Sequence, residues 1–121
     1  MNVATNTREV GDVTVVDVSG RIVLGEETGY LRSLVNNLLT GGHNKILFNL
    51  SQVSYIDTSG LGFLLSALAS ARKQNGEVKL VNLPPKVLEV MEITKLYTVF
   101  DVSDDEATAV RSFNQSAAAG A

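Results

Sequence analysis

The chain has 121 residues, of which 45% are hydrophobic, and a net charge of −3 at neutral pH. This length and composition predict one domain with its own core, and the absence of a cluster of basic residues disfavours nucleic acid as a partner. The sequence contains no cysteine and a single histidine, which excludes disulfides, thiol catalysis and a multi-histidine metal site.

The first part of the chain predicts an antiparallel hairpin. Residues 2–10 and 13–18 have the character of strands, and the Gly-Asp pair between them is typical of a tight turn. The first strand is predicted to lie at the edge of the sheet. The Ser-Gly-Arg sequence at residues 19–21 is predicted to break the second strand.

A helix is predicted after Gly25. Glu26 and Glu27 fall in its first turn, where the helix dipole favours carboxylates. From Leu31 onward, apolar residues recur at i, i+3, i+4, i+7 and i+8, which places them on one helical face, and a Gly-Gly pair then ends the helix. The nearly all-apolar run at residues 45–50 predicts a central strand that is covered on both faces.

The remainder of the chain alternates between helices and strands. In order, we expect a helix over 59–75, a strand over 78–83, a helix from Pro85, a turn or short helix over 93–96, and a strand over 99–102. A last helix is predicted to start at the capping-box sequence Ser103-x-x-Glu106, with Ala107, Val110 and Phe113 facing inward. This order predicts an α/β fold with a mixed, mainly parallel sheet of four to five strands, an antiparallel N-terminal edge strand and about four helices. We expect a single domain over residues 1–115 and a flexible C-terminal tail over 116–121.

The N-terminus and the apolar runs bear on localisation. Residues 1–6 have neither the basic nor the apolar region of a signal peptide. No apolar run approaches the roughly 18 residues that would span a bilayer. The sequence therefore predicts a cytoplasmic protein that does not insert into a membrane.

The junction between the central strand and the second helix carries the main functional signal. It reads Asp57-Thr58-Ser59-Gly60-Leu61-Gly62. Ser59 is predicted to cap the helix, and a phosphate on its hydroxyl would lie at the positive end of the helix dipole. The alternative is structural: Ser59 only caps the helix, and the glycines only allow close packing.

This motif, between a hydrophobic strand and a long helix, resembles the signature of the STAS domain family, and more narrowly that of the bacterial anti-sigma-factor antagonists. The predicted hairpin, the Ser-Gly break and the order of elements also match, so the resemblance covers nearly the whole chain. It implies a STAS-type fold and a regulatory protein that is not an enzyme. No cofactor, metal ion or catalytic residue is expected, and we expect a monomer or a weak dimer.

The resemblance also implies a switch. In the family, the serine at the position of Ser59 is phosphorylated by an anti-sigma-factor serine kinase. The unphosphorylated antagonist binds that kinase and so releases the sigma factor, and a PP2C-type phosphatase restores the serine. The surroundings of the phosphorylation site and the partner-binding residues would be Asp57, Thr58, Gly60, Leu61, Gly62, Phe63 and Arg21.

Arg21 departs from the family pattern. Many members carry an acidic residue just after the glycine of the second strand, whereas Gly20 is followed here by arginine. This departure leaves open an alternative function as a standalone STAS subunit of another regulatory or lipid-transport complex.

Phe63 allows two interpretations. On a helical wheel it lies opposite Leu61, Leu64 and Leu68, on the side that also carries serines. It could therefore be an exposed anchor for a partner. Alternatively, a second layer of the protein covers it.

Enzymatic interpretations lack their required residues. A serine hydrolase would need glycine two residues before Ser59, where Asp57 stands, and a histidine partner; the one histidine, His43, lies in a predicted loop. A dinucleotide-binding loop would need a third glycine where Leu65 stands.

Overall fold

The computed structural model describes residues 2–119, with side chains described through Asn114. The elements in chain order are β1 (Val3–Val10), β2 (Val13–Ile22), α1 (Glu26–Thr40), β3 (Lys45–Ile56), α2 (Thr58–Lys73), β4 (Glu77–Val81), α3 (Pro85–Ile93), a 3-10 helix (Leu96–Thr98), β5 (Val102–Ser103) and α4 (Glu106–Ala119).

The strands form one mixed sheet in the order β1-β2-β3-β4-β5. β1 and β2 are antiparallel and are joined by the predicted two-residue turn, with Val10 opposite Val13. The other neighbouring strands are parallel. Both the mixed, mainly parallel sheet with its antiparallel edge strand and the four α-helices are as predicted.

Helices cover both faces of the sheet because successive strand residues point to opposite sides. Val16 and Phe48 belong to the larger core, which includes apolar residues of α1, α2 and α3. Their neighbours Val15 and Leu47 belong to a smaller core on the other face, which α4 closes with Phe113. The sheet thus lies between a layer of three helices, α1 to α3, and the single helix α4.

β2 does not break where the sequence predicted. It continues to Ile22, and its pairing with β3 changes register on either side of Ser19 and Gly20. Gly20 has φ +96°, and a Cβ there would lie 2.0 Å from the carbonyl oxygen of Asn2. The glycine thus lets the start of β1 pass close by and bends the strand without ending it.

β3 is also longer than predicted, extending beyond Leu50 to Ile56. Its pairing with β4 stops at Asn49, but its pairing with β2 continues to the end of the strand. The carboxyl ends of β2 and β3 therefore lie side by side, and β3 leads directly into α2.

The C-terminal part differs in two details. The predicted strand at 99–102 shrinks to Val102–Ser103, because the chain before it forms a 3-10 helix. The capping-box prediction is wrong, because α4 begins only at Glu106 and its cap is Asp105, which accepts the backbone N–H of Thr108 at 2.9 Å.

The inner face of α4 is only partly as predicted. Phe113 and Ala109 are buried, whereas Ala107 is exposed. The flexible tail predicted over 116–121 stays a prediction: α4 continues to Ala119, and residues 120–121 lie outside the described residues.

Candidate functional site at the start of helix α2

Asp57 caps helix α2. It has an extended backbone, and its Oδ1 accepts a hydrogen bond from the backbone N–H of Gly60 at 2.8 Å. This is the usual arrangement of an N-cap side chain with the third residue of a helix. The prediction that Ser59 is the cap is therefore wrong, because the helix starts at Thr58 and places Ser59 inside the first turn.

The same carboxylate holds the loop between β2 and α1. Its Oδ2 accepts the backbone N–H of Leu24 at 3.0 Å, and the backbone N–H of Asp57 donates to the carbonyl of Ile22 at 3.2 Å. Asp57 thus ties three segments together: the end of β2, the loop that follows it, and the start of α2.

The two glycines of the motif have different roles. A Cβ on Gly60 would lie 2.3 Å from the carbonyl oxygen of Ile22 and 2.6 Å from Cγ1 of Ile56. A Cβ on Gly62 would meet nothing within 4 Å. Only Gly60 is therefore required by the close approach of α2 to the strands.

Ser59 is partly buried in the first turn of α2, next to the exposed Thr58. Among the residues that the structure describes, the Ser59 hydroxyl makes no hydrogen bond, and the backbone N–H groups of Thr58 and Ser59 have no acceptor. The next two N–H groups, those of Gly60 and Leu61, are bound by Asp57. A phosphate on Ser59 would therefore lie beside two N–H groups at the positive end of the helix.

Exposed apolar and cationic side chains surround this helix start. Leu24, on the loop that Asp57 holds, is 75% exposed. Arg21 and Tyr55 are opposite each other at the ends of β2 and β3, and the Arg21 guanidinium lies 5.1 Å from the centre of the Tyr55 ring. Tyr55 also lines a groove of about 300 Å³ against α3, with the exposed Ile93.

Glu27 places a negative charge directly after the loop between β2 and α1. Glu27 is mostly buried in the first turn of α1, and its Oε2 accepts the backbone N–H of Asn2 at 3.1 Å. This hydrogen bond is the main reason that the pKa of Glu27 lies below its usual value, and Arg21 lowers it further. Glu27 therefore stays ionised at neutral pH, and its hydrogen bond joins the residue before β1 to the first turn of α1.

Phe63 is not an exposed partner anchor. It is 1% exposed and packs edge-on against Phe48, with ring centres 5.7 Å apart. The second of the two sequence-based interpretations is correct, because α1 packs beside α2 and Phe63 belongs to the same buried core cluster as Leu31 and Val35 of α1. Leu61 is likewise buried, so its side chain belongs to the core.

The structure brings Asp57, Thr58, Ser59 and Gly60 together at the helix start. It also reveals two exposed residues that the sequence did not single out, Leu24 and Tyr55. No sequence pattern marked Leu24, because a single leucine before a glycine reads as the end of a short apolar run. Tyr55 lies two residues before the motif, on the part of β3 that extends beyond its pairing with β4.

Within residues 2–119, no group of three or more His, Asp or Glu side chains is arranged to hold a metal ion. None of the described helices is both long and apolar enough to cross a bilayer.

The family model for the STAS domain matches residues 4–109, which include nearly the whole sheet and the start of α2. The chain therefore belongs to the STAS domain family, as its motif predicted.

The chain is similar to several proteins that are named as anti-sigma factor antagonists. The anti-sigma-B factor antagonist of Bacillus subtilis (strain 168) is 28% identical over 103 residues, covering 85% of this chain and 93% of that protein. The crystal structure of a candidate anti-sigma factor antagonist from Thermotoga maritima has a TM-score of 0.80 and 26% identity, covering 91% of this chain and 94% of that one. Unphosphorylated SpoIIAA, an anti-sigma factor antagonist, has a TM-score of 0.78 at 20% identity, covering 93% and 97%. This last likeness supports the fold, which is SpoIIAA-like.

Proposed function

We propose that this protein is an anti-sigma-factor antagonist controlled by phosphorylation of Ser59. The unphosphorylated form binds an anti-sigma-factor serine kinase and thereby releases a sigma factor. Phosphorylation of Ser59 by that kinase ends the binding, and a PP2C-type phosphatase restores the hydroxyl. The protein itself is a binding module and catalyses no reaction. Family membership and the names of its relatives support this role.

One observation carries the assignment of Ser59. Since Asp57 caps α2, the Ser59 hydroxyl is not needed as a cap, and it makes no hydrogen bond among the described residues. The alternative interpretation, in which Ser59 serves only as the helix cap, is therefore wrong. The hydroxyl is left to accept a phosphoryl group next to free backbone N–H groups and exposed apolar side chains.

The energetics favour a switch in binding over a change of fold. A phosphate adds about −1.5 to −2 charges at neutral pH, and a helix N-terminus stabilises an exposed anion by about 0.3–1 kcal/mol. The phosphorylated protein can thus keep its fold. In a complex, an unpaired charge buried at the interface costs about 2–5 kcal/mol, which corresponds to a loss of affinity of roughly tens to thousands of fold.

The test compares three forms of the protein in pull-downs from the native cell: wild type, Ser59→Ala and Ser59→Asp. We expect wild type and Ser59→Ala to retain a histidine-kinase-like ATPase and Ser59→Asp to lose it. Incubation of the recovered kinase with ATP should phosphorylate wild type and Thr58→Ala, but not Ser59→Ala. Mass spectrometry of the tryptic peptide identifies the modified residue.

Equal recovery of the kinase by wild type and Ser59→Asp would contradict the switch. Recovery of a sensory or lipid-transport complex, with no kinase, would favour the alternative of a standalone STAS subunit. Modification of Thr58 in place of Ser59 would contradict the residue assignment.

A further inference from the structure

Arg21, at the end of β2, differs from the other arginines in its hydrogen bonding. Every other described arginine has a side-chain hydrogen-bond acceptor: Asp17 and Glu106 for Arg8, Ser66 for Arg32, Glu77 for Arg72 and Thr108 for Arg111. Arg21 is exposed and has no such acceptor among the described residues. Its nearby charge, Glu27, is already bound to the backbone of Asn2.

Arg21 is nevertheless held in place. Its guanidinium lies over the ring of Tyr55, its partner on β3, at 5.1 Å from the ring centre. Stacking on an aromatic ring uses the flat face of the guanidinium and leaves the N–H groups at its edge free. The edge can still bind a carboxylate with two parallel hydrogen bonds, and less side-chain entropy is lost on binding because the group is already positioned.

An exposed apolar residue lies on the loop that follows Arg21. Leu24 is 75% exposed, although its backbone is fixed by the hydrogen bond to Asp57 Oδ2. Asp57 also positions the turn that carries Ser59. A cation without a side-chain acceptor among the described residues, an aromatic ring and an exposed leucine thus all lie on the segments that meet at the candidate phosphorylation site.

We propose that Arg21, Tyr55 and Leu24 form a docking surface that takes an acidic side chain of the protein partner against Arg21 and an apolar side chain against Leu24. This proposal rests on the proposed function, since it concerns the partner that Ser59 would control. The occupant is a protein carboxylate and not a polyanion such as nucleic acid. A single guanidinium matches one carboxylate, whereas Asp57, Glu26, Glu27 and the net charge of −3 repel a chain of phosphates much more strongly than a single carboxylate.

The surface also adds a reason for phosphorylation to end the complex. A phosphate on Ser59 would repel the partner's carboxylate that is held against Arg21. The switch would then act on the chemistry of docking as well as on the space that the phosphate occupies.

The test is calorimetric titration of the unphosphorylated protein with the purified kinase recovered in the pull-down, at low and at physiological salt. Arg21→Glu should weaken binding by at least about tenfold, with the larger loss at low salt. The matched control is Arg111→Glu on the exposed side of α4, which should change affinity by less than about twofold, as expected for a charge remote from the interface. Tyr55→Phe keeps the ring and should bind like wild type, whereas Tyr55→Ala should bind more weakly.

A compensating change identifies the contact. Replacing the partner's opposing acidic residue by lysine should restore binding to Arg21→Glu and weaken binding to wild type. If Arg21→Glu, with an unchanged melting temperature, binds like wild type while Ser59→Asp does not bind, the docking surface is wrong and the proposed function stands. If wild type binds no kinase, both are wrong.

Discussion

Gly60 lies directly against the backbone of Ile22, so that a Cβ on the glycine would stand 2.3 Å from the carbonyl oxygen of the isoleucine. Real Cβ atoms do not approach a carbonyl oxygen so closely, and the atom in the way is backbone. The contact sets how near α2 comes to the end of β2. The first glycine of the motif is therefore needed for packing, and its presence alone says nothing about a phosphate.

Replacement of the two motif glycines by alanine should give opposite results. Gly60→Ala should lower the free energy of unfolding by about 1–3 kcal/mol or more, because the helix must shift away from Ile22. Gly62→Ala is the matched control: its Cβ meets open space, and alanine in place of a helical glycine should raise the free energy of unfolding by up to about 1 kcal/mol. Urea unfolding of both variants measures the difference, and equal destabilisation would contradict the packing argument.

The two hydrogen bonds of Asp57 can be separated by substitution. Asp57→Ala removes both and should lower the free energy of unfolding by about 0.5–2 kcal/mol. Asp57→Asn keeps one acceptor oxygen, so it should retain the bond to Gly60 and lose the bond to Leu24. Amide hydrogen exchange should then be faster at Leu24 alone in Asp57→Asn and at both residues in Asp57→Ala.

Asp104→Asn is the control for these variants, since Asp104 is exposed and makes no hydrogen bond among the described residues. It should leave both exchange rates unchanged. Unchanged exchange at Leu24 in Asp57→Ala would show that the loop does not depend on the aspartate.

The sequence predicted the order of the elements but not the residue that caps α2. Asp57, Thr58 and Ser59 are all good capping residues, and their propensities differ too little to choose among them. A tertiary contact made the choice: the second carboxylate oxygen of Asp57 also accepts the N–H of Leu24, from a loop 33 residues earlier. Local rules do not contain this bond, because it joins residues that are 33 positions apart in the chain.

The same limit applies to Phe63. A helical wheel divides a helix into an apolar and a polar side, and Phe63 lies with the serines. α2 is buried on more than one side because it packs against both the sheet and α1. The wheel correctly placed Leu64 and Leu68 in the core, but it contained no information about the neighbouring helix.

Truncation of Phe63 should therefore reduce stability. Phe63→Ala should lower the free energy of unfolding by about 3–5 kcal/mol, because it leaves a cavity beside Phe48. Phe63→Leu keeps most of the volume and should cost less. Denaturant unfolding provides the measurement. A fully stable Phe63→Ala variant with weakened partner binding would instead support the interpretation of Phe63 as a surface anchor.

The stability of the protein should fall in acid partly through Asp17. Arg8 binds this carboxylate with two hydrogen bonds, of 2.7 and 2.9 Å, and also pairs with Glu106 of α4 at 2.5 Å. The bonds from Arg8 are the main reason that the pKa of Asp17 lies below its usual value. The carboxylate is thus more readily ionised in the folded chain than in the unfolded chain, in which an aspartate has a pKa of about 3.9.

A depressed pKa stabilises the fold above the unfolded pKa, and this stabilisation is lost as the pH falls through the folded pKa. At neutral pH, the free energy of unfolding of wild type should therefore be higher than that of Asp17→Asn. The difference should not exceed about 1 kcal/mol, because the ion pair is partly exposed. The difference should shrink as the pH falls below about 4. Asp104→Asn, the control, should show no such pH dependence. Urea unfolding at a series of pH values measures both differences. If the free energies of unfolding of wild type and Asp17→Asn differ as much in acid as at neutral pH, the ion pair with Arg8 is not the cause of the difference.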